Sequence, residues 1–316
     1  MATYQTYTAI GQREDLSDVI YNISPTDTPF MSSIGKTKAT AVYHEWQTDS
    51  LSASTLSNYA VEGATATDAT MSPTTRVGNR TQISQKTVKI SGTLQAVDKA
   101  GRKSEKAYNL AKASSEIKRD METTLLSNQI ATNGDSTTAR KLGGLQAWLA
   151  TNGDFGTSGS AGASGTTART NGTNRTFTED ILKVVVKEVY AAGGNPKVLM
   201  VNPAHKQAVS AFAGIAAQRF MAPSNTPTTI ISAADIYLSD FGSISVVPNR
   251  MMSSTNSCDE TAFVLDPDMA AVAYLRPFQT NELAVTGDNE STQLLVEYTL
   301  EVKNEAAHGI IADLTP

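Results

Sequence analysis

The longest regular pattern of apolar positions runs through residues 94–132. Apolar side chains recur there mostly every three, four or seven residues, and charged side chains occupy much of the remainder. The pattern predicts one amphipathic helix, about 55 Å long at 1.5 Å per residue, capped by Ser91 or Thr93 and ended by Asn133-Gly134. Its apolar stripe keeps no heptad register, so we expect the helix to lie along a sheet rather than in a coiled coil.

Residues 42–91 are predicted to form a long two-stranded excursion. It begins with Val42–Thr48 and ends with Arg80–Ser91. In Arg80–Ser91, apolar and polar residues alternate as in a strand that is exposed to solvent on at least one face. Between these strands lie about thirty residues rich in Ser, Thr, Ala and Gly. A compact domain rarely contains so long a polar excursion unless that excursion has a function.

Residues 1–41 are predicted to form an extended arm. Arg13–Tyr21 could form two helical turns, but Pro25 and Pro29 push the residues before them out of the helical region. An extended arm has backbone donors and acceptors that need a surface. We expect a neighbouring copy of the chain to provide that surface.

Residues 134–175 are predicted to be mostly loop. Gly143–Leu149 is the one apolar island, and residues 156–175 have the low-complexity Gly, Ser and Thr composition of a flexible linker.

A small α/β unit is predicted from residue 176 onward. Thr176–Glu179 has the pattern of a capping box, and the helix that follows ends at Gly193-Gly194. Lys197–Val201 is a buried type of strand, and Asn202-Pro203 begins a second helix, which runs through Ala213. Further strands are expected at Asp235–Leu238, Ser243–Val247, Ala262–Leu265 and Ala271–Leu275.

A hairpin is predicted near the end of the sequence, from Phe278–Val285 and Gln293–Asn304, with its turn at Gly287–Ser291. Apolar residues alternate with polar ones along the second strand, from Leu294 to Val302. This alternation indicates one buried face, which suits the apolar stripe of the long helix.

Composition and charge narrow the classes of function. The chain has 316 residues, 40% of them hydrophobic and 18% charged, with a net charge of -5 and no long run of Lys or Arg. Sequence-specific nucleic-acid binding usually needs a basic face, so the charge argues against it. No apolar run is long enough to span a membrane, and we expect no signal peptide.

Candidate chemistry is sparse. The single cysteine, Cys258, and the three histidines, His44, His205 and His308, are too few and too scattered for a zinc site. We expect Cys258 to be a small loop residue with no special role. We expect the histidines to be ordinary surface or interface residues, because none has a partner at useful spacing.

The remaining polar patterns also have structural explanations. Gly156–Ser160 is only a degenerate nucleophile elbow inside a linker. The pairs Asp266/Asp268 and Asp235/Asp240 could bind a cation but fall short of an EF-hand pattern, so turn capping is expected. The sequence therefore predicts no catalytic, cofactor-binding or metal-binding residues, and no cofactor.

The order of these elements resembles one family of folds. Arm, hairpin loop, long helix, loop, α/β unit and returning hairpin are similar to the major capsid proteins of tailed bacteriophages, whose α+β fold is named after phage Hong Kong 97. Arg13–Lys36, Val42–Trp46 and Val198–Pro203 resemble the short-tailed-phage branch more closely. The resemblance covers nearly the whole chain.

The resemblance implies names for the segments. They would be an N-terminal arm (1–41), an E-loop hairpin (42–91), a P-domain spine helix with its following loop (92–175), an α/β A-domain (176–275), and P-domain return strands (276–316). In such a P-domain the long spine helix packs on an antiparallel sheet. The Lys–Asn isopeptide crosslink of the family is not implied, because no motif here assigns the pair.

The resemblance also implies a function. We expect a major head protein that self-assembles, as hexamers and pentamers, into the icosahedral shell around the double-stranded DNA of a tailed phage. Expected partners are other copies of the chain, the portal, scaffold or decoration proteins, and packaged DNA held non-specifically on the inner face. The expected location is the virion, assembled in the host cytoplasm, without a membrane. The alternative is another virion protein, such as a tail-tube or decoration protein; a hydrolase is disfavoured because no nucleophile is paired with a base.

Overall fold

The computed structural model describes residues 24–66, 68–69, 71–97, 103–212, 235–254 and 258–315. The expected helical turns at Arg13–Tyr21 lie outside this part of the chain. The helices are α1 (Pro29–Ser33), α2 (Gly92–Ala96), α3 (Glu105–Leu126), α4 (Leu145–Trp148), α5 (Glu179–Ala191) and α6 (Pro203–Ser210). The strands are β1 (Gly35–Lys38), β2 (Tyr43–Thr48), β3 (Thr75–Arg80), β4 (Gln82–Ser91), β5 (Gly153–Asp154), β6 (Val198–Val201), β7 (Ile236–Ser239), β8 (Gly242–Pro248), β9 (Ala262–Leu265), β10 (Ala270–Glu282), β11 (Asn289–Val302) and β12 (Gly309–Ile311).

The fold has two main sheets. One is a four-stranded sheet in the order β1-β10-β11-β4. The pairs β10–β11 and β11–β4 are antiparallel, whereas β1 runs parallel to β10, so the sheet is mixed rather than purely antiparallel. Helix α3 packs on it through buried Ile117, Met121 and Leu125, in one core with Val296 and Tyr298 of β11. The expected packing of the long helix along a sheet is therefore confirmed.

The predicted helix over residues 94–132 is wrong in length. Val97 is extended (φ -74°, ψ 141°) and ends α2, whose N-cap is Ser91 as expected. Helix α3 begins after a new N-cap, Ser104, whose hydroxyl accepts from Ala107 N–H. It ends at Leu126, with Ser127 as its C-cap, before Asn133-Gly134. Its 22 residues span about 33 Å. The hydroxyls of Ser104 and Ser127 compete locally with helical hydrogen bonding, which the apolar periodicity does not register.

The hairpin within residues 42–91 has a different return strand from the one predicted. Strand β2 pairs with β3 (Thr75–Arg80), whereas β4 pairs with β11 inside the four-stranded sheet. The change of partner occurs at Thr81, whose N–H still donates to Val42 O while its side chain points to Glu297.

Part of the N-terminal arm finds its surface within its own subunit, contrary to expectation. Phe30 and Met31 are buried in the core beside α3. Strand β1 then adds to the edge of β10. Backbone groups of both α1 and β1 thus find partners within the subunit, without a neighbouring copy.

The other main sheet is six-stranded, in the order β5-β12-β9-β6-β8-β7. Residues of α5, α6, β6 and β8 share its core, among them Val185, Val209, Leu199 and Ile244. The predicted capping box is wrong, since α5 begins at Glu179 and its N-cap, Thr178, makes no side-chain hydrogen bond. The N-cap at Asn202 is confirmed, because its side chain accepts from His205 N–H.

Two further boundaries differ from the sequence prediction. The strands expected at 271–275 and 278–285 are one long strand, β10, which joins β11 in the expected hairpin. Strand β12 leaves that hairpin and pairs with β9 and β5, so residues 276–316 contribute to both sheets.

The segment expected to be a flexible linker, residues 156–175, folds back on itself. Ser160 and Thr170 exchange two backbone hydrogen bonds, and Ala163 pairs with Thr167. Arg169, inside this segment, is buried. Residues 156–175 therefore form a structured part of the subunit, although their composition resembles that of a flexible linker.

Candidate functional site

Within the part of the chain that the structure describes, the most exposed apolar side chains lie on residues 49–74, here called the loop tip, between β2 and β3. Five large apolar side chains of the loop tip are at least 81% exposed: Leu51, Leu56, Tyr59, Val61 and Met71. All charged residues of this stretch are acidic, namely Asp49, Glu62 and Asp68. Exposed apolar side chains gathered on one segment are typical of a surface that binds a partner.

The loop tip stands on a hairpin that is anchored by buried polar groups of β11. Glu297, which is 4% exposed, accepts hydrogen bonds from Thr81 Oγ1 (2.8 Å) and Arg276 Nε (2.8 Å), and Arg140 pairs with it as well. Burial disfavours ionisation of Glu297, but the hydrogen bonds from Thr81 and Arg276 and the two guanidinium charges outweigh it. Its pKa is therefore lowered.

A second carboxylate of β11 ties the arm to the hairpin. Glu301 Oε2 accepts from Thr37 Oγ1 of β1 (2.7 Å) and lies 3.1 Å from His44 Nε2 of β2. At the residue before Glu301, Leu300 O accepts from the side-chain amide of Asn79 in β3 (2.9 Å). The same amide also donates to Gly143 O (3.0 Å). The root of the hairpin is thus fixed in direction by three strands and a loop.

This arrangement corrects the expected single buried face of β11. Glu297, Thr299 and Glu301, which should have faced solvent, are buried under the hairpin root. Trp46 of β2 also packs there, with its ring centroid 5.5 Å from that of Trp148. The sequence pattern could not show this, because it does not distinguish a glutamate that is buried with hydrogen-bond partners from one that is exposed to solvent.

Two of the three histidines are buried, contrary to the expectation of surface or interface residues. His205 Nε2 lies 3.1 Å from Thr315 O, and burial lowers the pKa of His205. His308 Nδ1 accepts from Asp266 N–H (3.3 Å), and its Nε2 lies 3.3 Å from Met269 O. Burial lowers the pKa of His308 too. Each histidine, His44 included, has a structural partner.

Cys258 lies in the loop between β8 and β9, as expected, but it is fully buried in the core and makes hydrogen bonds. Its Sγ donates to Leu126 O at 2.9 Å and accepts from Gln146 Nε2 at 2.9 Å. Burial raises the pKa of its thiol to about 12. The thiol therefore stays protonated and helps to seal the C-terminal end of α3.

Of the acidic turns, the one at Asp266 has the capping role expected of it, whereas Asp235 forms an ion pair. Asp266 Oδ1 accepts from Asp268 N–H, and Asp235 pairs with Lys206 at 3.1 Å. No group of three or more His, Cys, Asp or Glu residues within the described ranges is placed to hold a metal ion. Nor does any described helix have the length and apolar character needed to cross a membrane.

Comparison with known proteins agrees with the resemblance seen in the sequence. A profile of the SU10 major capsid protein family matches residues 2–315. The major capsid protein of Escherichia phage Phieco32 is 30% identical, over 98% of this chain and 96% of that protein.

Solved structures show the same fold at low sequence identity. The capsid subunit of cyanophage A-1(L) is 13% identical and superposes with a TM-score of 0.69, over 96% of this chain and 98% of that chain. A chain from Gordonia phage Cozz, also 13% identical, gives 0.62 over 96% of this chain and 92% of that chain.

These matches favour the shell protein over the tail-tube and decoration alternatives. The family profile spans nearly the whole chain, and the fold with arm, hairpin loop and two sheets is the expected Hong Kong 97 type. The chain belongs to the SU10 major capsid protein family and is a major capsid protein of a tailed bacteriophage.

Proposed function

We propose that the chain self-assembles, as pentamers and hexamers, into the icosahedral shell that encloses the double-stranded DNA of a tailed phage. The observation that carries this proposal is the loop tip, an apolar and acidic surface held out on a rigid root. Burying a Leu or Met side chain contributes about 1.5–3 kcal/mol. The apolar side chains of the loop tip are not buried within their own subunit, so this stabilisation is available for binding. We infer that a second copy of the chain buries them.

Further surfaces support a subunit that touches several neighbours. Strand β7 is at the edge of the six-stranded sheet, and its Ile236 and Leu238 are 61% and 70% exposed. An unpaired strand edge with apolar side chains pairs readily with another chain. Several weak contacts per subunit combine through multivalency into a durable lattice.

The segments take the names implied by the resemblance. We assign the N-terminal arm to 1–41, the E-loop to 42–91, the P-domain to 92–175 with 276–316, and the A-domain to 176–275. The two sheets support a division into P-domain and A-domain. The same criterion supports moving β4 and residues 270–275 to the P-domain, and β5 and residues 309–311 to the A-domain.

The remaining partners follow from a shell's place in the particle. The portal, and scaffold or decoration proteins, would contact the assembled lattice, and packaged DNA would touch its inner face without sequence preference. A net charge of -5 suits a surface that encloses DNA without binding it tightly. We place assembly in the host cytoplasm and the finished protein in the virion.

We also propose that the chain is not an enzyme. The histidines were the candidate general bases, and all three make structural hydrogen bonds with Glu301, Thr315 or Asp266. A general base must be free to take a proton from a substrate.

Deletion of residues 51–72 tests the proposed assembly role of the loop tip. The deletion keeps the β2–β3 pairing, in which Thr48 lies opposite Thr75. We expect a folded chain, by circular dichroism and thermal unfolding, that forms no shells in electron micrographs under conditions where the full chain does. Normal shells from the deletion variant would contradict the role of the loop tip, and stacked tubes from the full chain would contradict the proposed function.

A further inference from the structure

A buried carboxylate joins three separate parts of the subunit. Glu122 of α3 has no exposed surface. Its Oε1 accepts from Phe30 N–H at 2.7 Å, and its Oε2 accepts from Met31 N–H at 2.9 Å. Asn249, in the loop after β8, donates its side-chain amide to the same Oε1 at 2.8 Å.

The bonds to Phe30 and Met31 make Glu122 the cap of the arm helix α1. The local N-cap, Thr28, makes no side-chain hydrogen bond. Free N–H groups at the start of a helix need an acceptor, and here the acceptor comes from another helix. The arm therefore depends on α3 for a bond that most helices obtain from their own sequence.

The bond to Asn249 extends this dependence to the second sheet. Asn249 N–H donates to Val201 O of β6 at 2.8 Å, and its Oδ1 accepts from Met251 N–H at 2.8 Å. Asn249 is itself fully buried. Its side chain is thus held by the six-stranded sheet and aimed at Glu122.

All three groups are donors, and among the described residues no cation forms an ion pair with Glu122. Burial raises the pKa of Glu122, against the effect of its three hydrogen bonds. A buried carboxylate without a counter-ion is costly unless its hydrogen bonds are complete. Loss of any one donor therefore weakens the environment that holds the other two.

We propose that Glu122 couples docking of arm residues 29–38 to seating of the loop after β8, so that both engage α3 together. Glu122 is in this sense a positioning residue for the arm. The inference concerns the single subunit and stands or falls independently of the proposed shell.

This coupling decides when one sheet edge becomes available. Strand β1 covers the edge of β10 through Gly35–Lys38. If the arm leaves, the edge of β10 is unpaired and open to another chain. A shift of the loop after β8, which contains Asn249 and is held by the six-stranded sheet, would therefore expose the edge of β10 in the four-stranded sheet.

The test is the rate of trypsin cleavage after Lys36 and Lys38 in the free full-length chain, followed by mass spectrometry. Asn249→Asp places a second carboxylate against Glu122, although residue 249 makes no hydrogen bond to the arm. We expect cleavage to become faster by about tenfold or more, the effect of losing one hydrogen bond to a charged group. Asp120→Asn on the same helix, where the exposed Asp120 side chain pairs with the half-buried Lys86, is the control and should leave the rate unchanged.

A second variant separates the lost donor from the added charge. Asn249→Leu removes the amide that donates to Glu122 Oε1 and adds no carboxylate. We expect its cleavage rate to exceed that of the wild type as well. A wild-type rate in either variant would overturn the coupling.

Hydrogen exchange of the unmodified chain gives a second measurement if a variant does not fold. The amides of Phe30, Met31 and Met251 should open with one common free energy across a denaturant series. Clearly different opening free energies for the arm amides and for Met251 would overturn the proposal.

Discussion

Arg169 Nη1 lies 2.8 Å from Asp313 Oδ1, and neither side chain has any exposed surface. Arg169 belongs to the Gly- and Ser-rich segment 156–175, whereas Asp313 follows β12. Asp313 also accepts from Gly156 N–H at 2.9 Å, and Arg169 Nε donates to Gln146. One buried ion pair thus fastens this segment to the end of the six-stranded sheet.

Replacing one partner of this pair should be severely destabilising. In Arg169→Met the carboxylate of Asp313 stays buried without its counter-ion, so we expect the free energy of unfolding to fall by about 3–5 kcal/mol. Urea unfolding followed by circular dichroism measures the change. The double variant Arg169→Met with Asp313→Asn buries no charge, and Asn tolerates the positive φ of 57° at residue 313. It should lose less stability than Arg169→Met alone, and a larger loss would contradict this account.

His308 should make the subunit less stable in acid. Its pKa in the fold is lowered by burial from the usual 6.5. As the pH falls below about 6.5, the unfolded chain takes up a proton that the folded chain refuses, so stability declines until the pH passes the folded pKa. The loss is at most about 1.4 kcal/mol per pH unit.

The comparison that isolates His308 uses unfolding free energies at several pH values between 5 and 7.5. His308→Gln removes its titration, so the variant should lose stability less steeply as the pH falls. His205, whose pKa is also lowered, acts in the same direction in both proteins and cancels. Equal slopes in the variant and the wild type would show that His308 does not titrate in this way.

The loop tip should be needed for assembly and not for folding. Leu56 and Tyr59 are almost wholly exposed, so Leu56→Ser with Tyr59→Ser should change the free energy of unfolding by less than about 0.5 kcal/mol. Light scattering and electron microscopy should show a marked loss of shells. Ser52→Ala in the same loop is the matched control and should assemble normally. Unimpaired assembly of the double variant would remove these two side chains from the proposed contact.

Assembled shells should survive molar salt and reducing agent. Ion pairs at exposed rims contribute about 0–1 kcal/mol each and are screened by salt, whereas apolar burial is not. The single cysteine is buried with its thiol protonated, so no disulfide is available to be reduced. In denaturant the shells should separate into full-length single chains on a gel. A ladder of multimers under denaturing, reducing conditions would reveal a covalent link and contradict this prediction.

The sequence predicted the elements with strong local patterns. The α5 helix, β6, the Asn202 cap and the β10–β11 hairpin all follow from apolar periodicity, turn residues and capping chemistry. The same reasoning placed one helix over residues 94–132, where Ser104 and Val97 in fact separate α2 from α3. Apolar spacing continues across this interruption, which is why the pattern could not locate it.

The buried polar groups could not be predicted, because their partners are distant in sequence. Glu297 meets Thr81 and Arg140, and His205 meets Thr315, only after the fold has brought them together. The prediction of a flexible linker at residues 156–175 was wrong for a related reason. A Cβ at Gly159 would lie 2.5 Å from Asp313 Oδ2, so this glycine is needed for close packing although its neighbours read as a linker.

The sequence predicted the long excursion within residues 42–91, but not its return strand β3 or its root. A long polar stretch between two strand-like stretches predicted a two-stranded excursion. Its exposed apolar side chains and its anchoring on Glu297 and Glu301 became visible only in the fold.

The position of β12 has a consequence for the order of events during synthesis. Strand β12 lies between β5 and β9, so it fills an interior place in its sheet although every other described strand is made before it. Until residues 309–311 leave the ribosome, β9 has an open edge of the kind that pairs with other chains. Closing the sheet also joins distant parts of the sequence, which slows folding. A chaperone that shields β9 during this interval should therefore raise the yield of folded subunits.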